Sequence, residues 1–259
     1  MSIKIFAAAL AAAFTLQAHA ADLLDTVKVR GTLRIAMEGT YPPFNFKDPK
    51  TGTLAGYDVD VARIVAAKLG LKPEFVSTEW SAILAGLGAG KYDVIVSQVG
   101  VNPKREQAFD FSAPYTYSSP QLIVRKNETA RYNSLADLNG KKLGVGQGTV
   151  YEQQARALPG ITVKSYPAAP EELQDLAFGR IDAALNDSLM VAYLLKSSTL
   201  PVKAGSRVGE TTRMAIPFQK GNPKFKAALD KALAAAAADG SLKQASMRWF
   251  GTDVSRPVN

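Results

Sequence analysis

The sequence contains no cysteine, and His19 is the single histidine among its 259 residues. A chain without cysteine forms no disulfide and no cysteine-ligated zinc site, and it offers no cysteine for a lipid anchor. His19 lies in the first twenty residues, which we expect to be removed after export. The mature chain would then lack the histidine that Ser-His-Asp and Cys-His catalytic sites require. We therefore expect no metal, no cofactor and no hydrolytic activity of these common types.

The sequence also lacks an apolar run long enough to cross a membrane, which takes about 20 residues. The apolar segment Ile5–Leu16 is shorter; it follows Lys4 and precedes Ala18-His19-Ala20. This order is typical of a secretory signal peptide with cleavage before Ala21. We expect residues 1–20 to direct the protein to the periplasm, where it would be free of a lipid anchor.

The chain has no block of like charge, although it carries 31 basic and 23 acidic residues. Removal of the predicted signal peptide takes away Lys4 and no acid, so 30 basic residues remain and the formal net charge falls from +8 to +7. The basic residues stand singly or in pairs such as Lys141-Lys142, interleaved with acids. This pattern is typical of a solvated surface, and it does not favour a nucleic-acid partner.

Short β-branched runs alternate with helical patterns through most of the mature sequence. In the predicted helix Val59–Leu69, apolar residues recur every four positions and Gly70 provides the stop. The alternation predicts an α/β fold with mainly parallel sheets. The predicted strands are Leu33–Met37, Glu74–Val76, Val94–Ser97, Leu122–Arg125, Leu143–Val145, Thr162–Tyr166 and Ala183–Asn186.

Two segments resemble each other, residues 89–97 and residues 178–186. Each reads as glycine, base, apolar residue and aspartate, followed by a strand that ends in a polar residue. The likeness could come from two independent helix-to-strand turns or from two comparable lobes. Because ligands of open α/β sheets bind beyond the carboxyl ends of the strands, the second alternative brings Ser97-Gln98 and Asn186-Asp187 to a shared cleft.

A glycine-rich segment, residues 144–148, precedes a predicted helix start. Thr149 and Glu152 have the spacing of a capping box, and the free amides of such a helix start can hold an anion. An ordinary well-capped helix is the alternative. A dinucleotide fingerprint would need glycine in place of Thr149, and no Walker lysine follows Gly148, so nucleotide binding is disfavoured.

The segment Glu38–Phe44, with Tyr41-Pro42-Pro43 at its centre, is followed by Gly56–Val61. In this order and spacing the two segments resemble the opening of the bacterial extracellular solute-binding proteins that serve polar amino-acid ABC importers. Glu38–Phe44 is most similar to the cystine-binding branch of that family. One departure is Ser188, where that branch often has arginine. Further similar segments cover nearly the whole mature chain: Asp93–Val99, Lys104-Arg105, Phe109–Ser112, Leu138–Lys142, Gly148-Thr149, Gly179–Ala183, Asp239–Ser241 and Trp249–Gly251.

The resemblance implies a periplasmic-binding-protein-like fold of two α/β lobes joined by a two-strand hinge. The chain would cross between the lobes near Tyr117–Pro120 and near Val208–Met214. The first lobe would be discontinuous, residues 21–117 and 214–259, and the second would comprise residues 118–213.

The resemblance also implies a ligand site between the lobes. Arg105 would bind the carboxylate of a free amino acid and Asp187 its ammonium, although Asp187 could also cap a helix. Tyr41 and Trp80 would form aromatic walls, while Phe44 could equally be core. The expected ligand-binding residues are Glu38, Tyr41, Phe44, Trp80, Ser97, Gln98, Val99, Gly100, Arg105, Gln147, Thr149, Val150, Tyr151 and Asp187.

These features predict a monomeric receptor of an amino-acid ABC importer that closes on its ligand and is read by a membrane permease. Cystine is the first expectation for the ligand, and glutamine or another polar amino acid is the alternative. We expect no enzyme activity, because a binding set at Arg105 and Asp187 favours retention of the ligand over turnover. The alternatives of other classes are an enzyme similar to the cyclohexadienyl dehydratases, with Glu38 as acid or base, and a sensor that uses the same binding fold.

Overall fold

The structure is a computed structural model, and it describes residues 21–197 and 199–257. The predicted signal peptide lies outside the described residues. The strands are β1 Thr32–Met37, β2 Thr40–Tyr41, β3 Asn45–Lys47, β4 Leu54–Ala55, β5 Lys72–Ser77, β6 Val94–Ile95, β7 Phe109–Phe111, β8 Thr116–Ser118, β9 Pro120–Arg125, β10 Lys142–Gly146, β11 Thr162–Tyr166, β12 Ala183–Asp187, β13 Val202–Arg207, β14 Thr212–Met214 and β15 Pro217–Gln219. The helices are α1 Leu23–Arg30, α2 Tyr57–Lys68, α3 Trp80–Gly88, α4 Pro103–Ala108, α5 Val150–Arg156, α6 Ala169–Ala177, α7 Ser188–Ser197, α8 Pro223–Ala238 and α9 Ser241–Phe250, with a 3₁₀ turn at Leu135–Leu138.

Two separate sheets form the centres of two α/β lobes. The first sheet has the order β5-β1-β6, and both of its strand pairs are parallel. The second has the order β11-β10-β12-β9-β13, in which β10 pairs in parallel with β11 and β12. Strand β9 runs antiparallel to both β12 and β13, so the second sheet is mixed. The expectation of mainly parallel sheets therefore describes the first lobe better than the second.

Alternation along the strands sends side chains into helical layers on both faces of each sheet. In β1, Ala36 packs with α3, whereas Ile35 and Met37 belong to the core that contains α2, α8 and α9. In β9, Leu122 shares a core with α5, whereas Ile123 joins the core that includes α6 and α7. Each lobe is thus a helix–sheet–helix sandwich.

The chain passes from one lobe to the other along β8 and returns along β14. These strands pair antiparallel, with Thr212 opposite Ser118 and Met214 opposite Thr116. Strand β8 overlaps the segment Tyr117–Pro120 and β14 lies in the segment Val208–Met214, where the sequence placed the crossings. Because β9 follows directly after β8, it enters the second sheet from this connection, and its direction opposes that of β10 and β12.

The two similar sequence segments form the same turn in both lobes. Gly90 and Gly179 have positive φ angles of 70° and 72°. The carboxylate of Asp93 then accepts the amide of Arg34 at 2.7 Å, and that of Asp182 accepts the amide of Lys142 at 2.8 Å. Each aspartate therefore ties its strand to the central parallel strand of its own sheet.

Candidate functional site

A cleft between the lobes collects the residues that follow the carboxyl ends of the parallel strands, as open α/β sheets lead one to expect. It encloses about 630 Å³ including its open mouth, which lies within the range of small-molecule sites. Its lining comprises Glu38, Tyr41, Trp80, Ser97, Gln98, Gly100, Arg105, Gly146, Thr149, Val150, Tyr151, Pro167, Ala168, Ala169, Glu172, Asn186 and Met214.

Side chains of the first lobe reach across the cleft and contact the second. The Tyr41 hydroxyl donates to Asn186 Oδ1 at 2.7 Å, and Trp80 Nε1 donates to the carbonyl of Gln147 at 2.8 Å. Arg105 Nη2 donates to the carbonyl of Gly148 at 2.9 Å. The lobes are therefore held against each other in this structure.

Arg105 is the cation of the cleft wall. Helix α4 positions it: Asn102 caps the helix by accepting the Arg105 amide at 2.8 Å, and Arg105 Nη1 donates to the carbonyl of Gly100 at 2.6 Å. The guanidinium lies over the ring of Trp80, 5.6 Å from its centroid, and burial lowers its pKa to about 10. Within the described chain no carboxylate forms a salt bridge with it, so its charge is available to an anionic group.

The start of α5 faces Arg105 from the second lobe. Thr149 is the N-cap, because its Oγ1 accepts the Glu152 amide at 3.1 Å. The return bond of the predicted capping box is shifted by one residue, since Glu152 Oε2 accepts the amide of Gly148 and not that of Thr149. The first amides of a helix have no partner within it, so Val150 and Tyr151 present donors beside the guanidinium.

Beneath the cleft, the first lobe contains a buried polar network around Asp58. Its carboxylate accepts hydrogen bonds from Asn45 Nδ2 at 2.7 Å, from Gln98 Nε2 at 2.7 Å and from the Tyr115 hydroxyl at 2.8 Å. Burial raises the pKa of Asp58 to about 6. Gln98 has a φ of 49°, uncommon outside glycine, and its Oε1 is buried with no hydrogen-bond partner in the described residues. The network thus fixes Gln98 in a strained conformation at the cleft.

Two acids contribute to the cleft wall, one from each lobe. Burial raises the pKa of Glu38 to about 7, against the hydrogen bond that its Oε1 accepts from Thr40 at 3.0 Å. Burial raises the pKa of Glu172 to about 8. Carboxyl groups with such pKa values take up or release a proton near neutral pH, which is frequent at functional sites.

Four residues that the sequence placed in the site do not line the cleft: Phe44, Val99, Gln147 and Asp187. Phe44 is fully buried and stacks against Tyr41 at 5.0 Å, and Val99 is fully buried in the core around α3. Gln147 reaches the site through its carbonyl alone, since its side chain is exposed. Phe44 and Val99 are set by packing within their own lobe, which neighbouring motif residues do not reveal.

Asp187 lies one layer behind the cleft wall and is 1 % exposed. Its Oδ1 accepts the Leu189 amide at 2.8 Å, which caps α7, and its Oδ2 accepts hydrogen bonds from Ser118 and from the Tyr151 hydroxyl. Burial raises its pKa. The capping alternative therefore describes the contacts of Asp187 in this structure, and its contact with an ammonium group stays a prediction.

Sequence reasoning missed most of the wall that follows β11. Pro167, Ala168 and Ala169 come directly after this parallel strand, so the strand-end rule could have found them. Glu172 carries a weaker signal. It stands four residues before Leu176, so it occupies a core position of an amphipathic helix, where an acid is unusual.

Comparison with known proteins identifies the class of this cleft. The L-cystine-binding protein TcyJ of Escherichia coli (strain K12) is 37% identical over 254 residues, which cover 97% of this chain and 95% of TcyJ. A probable amino-acid ABC transporter-binding protein of Haemophilus influenzae is 36% identical over 247 residues, or 95% of each chain. The crystal structure of AncCDT-1, an ancestral amino acid-binding protein and precursor of cyclohexadienyl dehydratase, matches with a TM-score of 0.81 and 32% identity, covering 89% of this chain and all of that one.

The described residues contain no helix that is both long and apolar enough to cross a membrane. The family model for the bacterial extracellular solute-binding proteins, family 3, matches residues 33–252, which include every residue of the cleft wall. This chain belongs to the bacterial extracellular solute-binding proteins, family 3.

Proposed function

We propose that this protein is the periplasmic binding component of an amino-acid ABC importer, and that cystine is its preferred ligand. The names of the relatives in Escherichia coli and Haemophilus influenzae support this assignment. The observation that carries it is Arg105, a buried guanidinium that lines the same cleft as Val150 and Tyr151 at the start of α5 and has no acidic partner in the described chain. A planar fork of donors opposite free amides is suited to a carboxylate.

The ligand's α-ammonium group would be bound on the side of Asp187. The carboxylate of Asp187 is buried, and the Tyr151 hydroxyl connects it to the cleft wall at 3.3 Å. Direct contact requires Tyr151 to give up this hydrogen bond. Without that movement, the ammonium group would contact the Tyr151 hydroxyl, whose oxygen is polarised by its hydrogen bond to the carboxylate of Asp187.

Closure of the lobes would be the signal that the permease reads. The hinge of this proposal is the β8–β14 pair, with residues 21–117 and 214–259 in one lobe and residues 118–213 in the other. A ligand that contacts Arg105 in one lobe and the α5 amides in the other binds the closed form better than the open form. It therefore shifts the population toward closure, as its differential affinity requires. The proposed receptor acts as a monomer.

Calorimetric titration with cystine and with glutamine tests the proposal, alongside mass spectrometry of ligand released by denaturing gently purified protein. We expect a released amino acid and saturable binding of cystine in the micromolar range or below, which corresponds to about −8 kcal/mol or stronger. Preferential binding of glutamine would keep the importer assignment and move the ligand to the alternative. Failure to bind any amino acid would contradict the proposed function.

The dehydratase alternative depends on Glu38, whose pKa of about 7 suits a general acid or base. The structural match to a precursor of cyclohexadienyl dehydratase is the reason to test this particular enzyme class, although that precursor is itself an amino acid-binding protein. We expect neither prephenate nor arogenate to be consumed above the spontaneous rate. Product formation that disappears in Glu38→Gln, with Glu79→Gln as an exposed control, would establish the enzyme instead.

A further inference from the structure

Glu172 is a buried carboxyl group without a hydrogen-bond partner. Its residue is 0 % exposed, it contributes to the cleft wall, and neither Oε1 nor Oε2 has a partner with hydrogen-bond geometry in the described residues. The Leu185 amide and the Asn186 side chain offset part of the effect of burial on its pKa without reaching that geometry. A carboxyl group left in this way destabilises the fold unless a ligand supplies the donors.

The fold makes room for this side chain next to the cleft. Helix α6 lies over β10, and a Cβ atom at Gly144 of β10 would stand 3.1 Å from Glu172 Cγ and 2.5 Å from Ile181 Cδ1. Glycine at this position lets the stem of Glu172 and the side chain of Ile181 pack against the strand. Glu171, the preceding residue in the first turn of α6, is exposed. Of these two neighbouring glutamates, Glu172 is the buried one.

Acidic side chains outnumber basic ones around the cleft. Glu38 and Glu172 both line the cleft, and the carboxylate of Asp187 lies behind it, hydrogen-bonded to the hydroxyl of the cleft residue Tyr151 at 3.3 Å. Among the described residues of the cleft wall, Arg105 is the one cation. An amino acid whose carboxylate pairs with Arg105 and whose α-ammonium lies toward Asp187 still leaves both oxygens of Glu172 without a donor.

We infer that Glu172 binds a second cationic group of the ligand, at the end of its side chain. This inference rests on the proposed function and narrows its substrate class to amino acids with two cationic groups. Cystine carries a second ammonium group, and arginine carries a guanidinium. The two oxygens of Glu172 are the acceptors that such a group needs inside a dry wall. Glu172 is in this sense a specificity-determining residue that faces Arg105 from the other end of the ligand.

Matched ligand pairs in calorimetric titration test this role. Arginine is compared with citrulline, which lacks only the distal cation, and cystine with S-methylthio-L-cysteine, which lacks the distal ammonium together with its carboxylate. The wild-type protein should prefer the cationic member of the pair it binds by at least about tenfold, the effect of one charge-assisted hydrogen bond. Glu172→Gln, of equal size, should remove this preference while the neutral member binds as before.

Glu171→Gln is the control, because it removes the same charge from the same helix turn at an exposed position. It should keep the wild-type preference. A preference that persists in Glu172→Gln, or a wild-type protein that binds both members of each pair equally, would overturn the inference and leave the proposed function intact. A wild-type protein that binds no amino acid overturns the proposed function itself. A role of Glu172 in packing alone predicts equal losses for both members of a pair.

Discussion

At the residue scale, the cleft combines one buried cation with buried acids, and this combination decides what it can hold. The guanidinium of Arg105 satisfies two carbonyls, one in each lobe, and keeps further donors for a ligand. Loss of the Arg105 side chain removes a charge from a buried site and also a hydrogen bond between the lobes. Both effects weaken the closed form.

Arg105→Ala should lower the affinity for the identified amino acid by at least about thirtyfold, since truncating one partner of a buried charge pair costs about 2–5 kcal/mol. Arg105→Lys should lose less, because lysine keeps the charge without the planar fork. Calorimetric titration gives both values. Lys104→Ala, an exposed neighbour in α4, is the control that should bind normally. Near-normal affinity of Arg105→Ala would remove Arg105 from the ligand site.

The buried acids predict a pH dependence of stability in the absence of ligand. The pKa of Glu172 is raised from 4.5 to about 8 in the folded protein, so between these values the folded state binds more protons than the unfolded state. The free energy of unfolding should therefore fall as pH rises from about 4.5 to about 8. Glu38 and Asp58, with raised pKa values of about 7 and about 6, contribute with the same sign.

Urea unfolding of wild type and Glu172→Gln at both ends of this pH window measures the contribution of Glu172. The variant should lose less stability across the window, because glutamine does not ionise. Glu171→Gln should follow the wild-type curve. Equal losses in wild type and Glu172→Gln would mean that the carboxyl group of Glu172 is not perturbed by burial.

At the element scale, the two lobes use the same helix-to-strand turn at different degrees of burial. The Asp93 side chain is 1 % exposed and pairs with Arg30 and with Arg34, whose Nη2 lies 2.9 Å from Oδ1. The Asp182 side chain is 32 % exposed and lies 3.8 Å from Arg125 Nη2. The turn of the first lobe therefore carries a nearly buried charge, and that of the second carries a solvated one.

Asp93→Ala should lower the free energy of unfolding by about 2–3 kcal/mol, below the 3–5 kcal/mol of fully buried pairs because both arginines are about one-third exposed. Asp182→Ala should cost about 1 kcal/mol, the value of one ordinary hydrogen bond. Denaturant titration of the two variants compares them directly. A larger loss for Asp182→Ala would show that the second lobe depends more on this turn.

At the scale of the whole molecule, the cleft is closed by contacts between the lobes, and Trp80 takes part in one of them. Its indole N–H donates across the cleft to the carbonyl of Gln147, and its ring packs against the guanidinium of Arg105. The other tryptophan, Trp249, donates to Asp60 at 2.8 Å within the first lobe. Opening and closing should therefore change the environment of Trp80 and not that of Trp249.

Addition of the identified amino acid should change the tryptophan fluorescence of the wild-type protein. Trp80→Phe should abolish the change, and Trp249→Phe should preserve it, because Trp249 stays in its own lobe. Stopped-flow or steady-state emission measures the response. A ligand-dependent signal that survives in Trp80→Phe would mean that Trp80 does not report closure.

The sequence by itself determined the fold class and the family, and it singled out Arg105 as the predicted carboxylate-binding residue. These features depend on local patterns: periodic apolar residues, turn glycines, strand-end polar residues and motifs in a fixed order. The similar turns at Asp93 and Asp182 could be recognised in the sequence for the same reason, because each is encoded within a few residues.

The tertiary structure alone decided which of the candidate residues face the cleft. Phe44 and Val99 stand in motif segments but pack into the core, and Asp187 ends a layer behind the wall because Ser118 and Tyr151 occupy its carboxylate. Glu172 reaches the cleft because Gly144, distant in sequence, leaves space above β10. Burial is a property of what packs across from a residue, and those neighbours come from other elements of the chain.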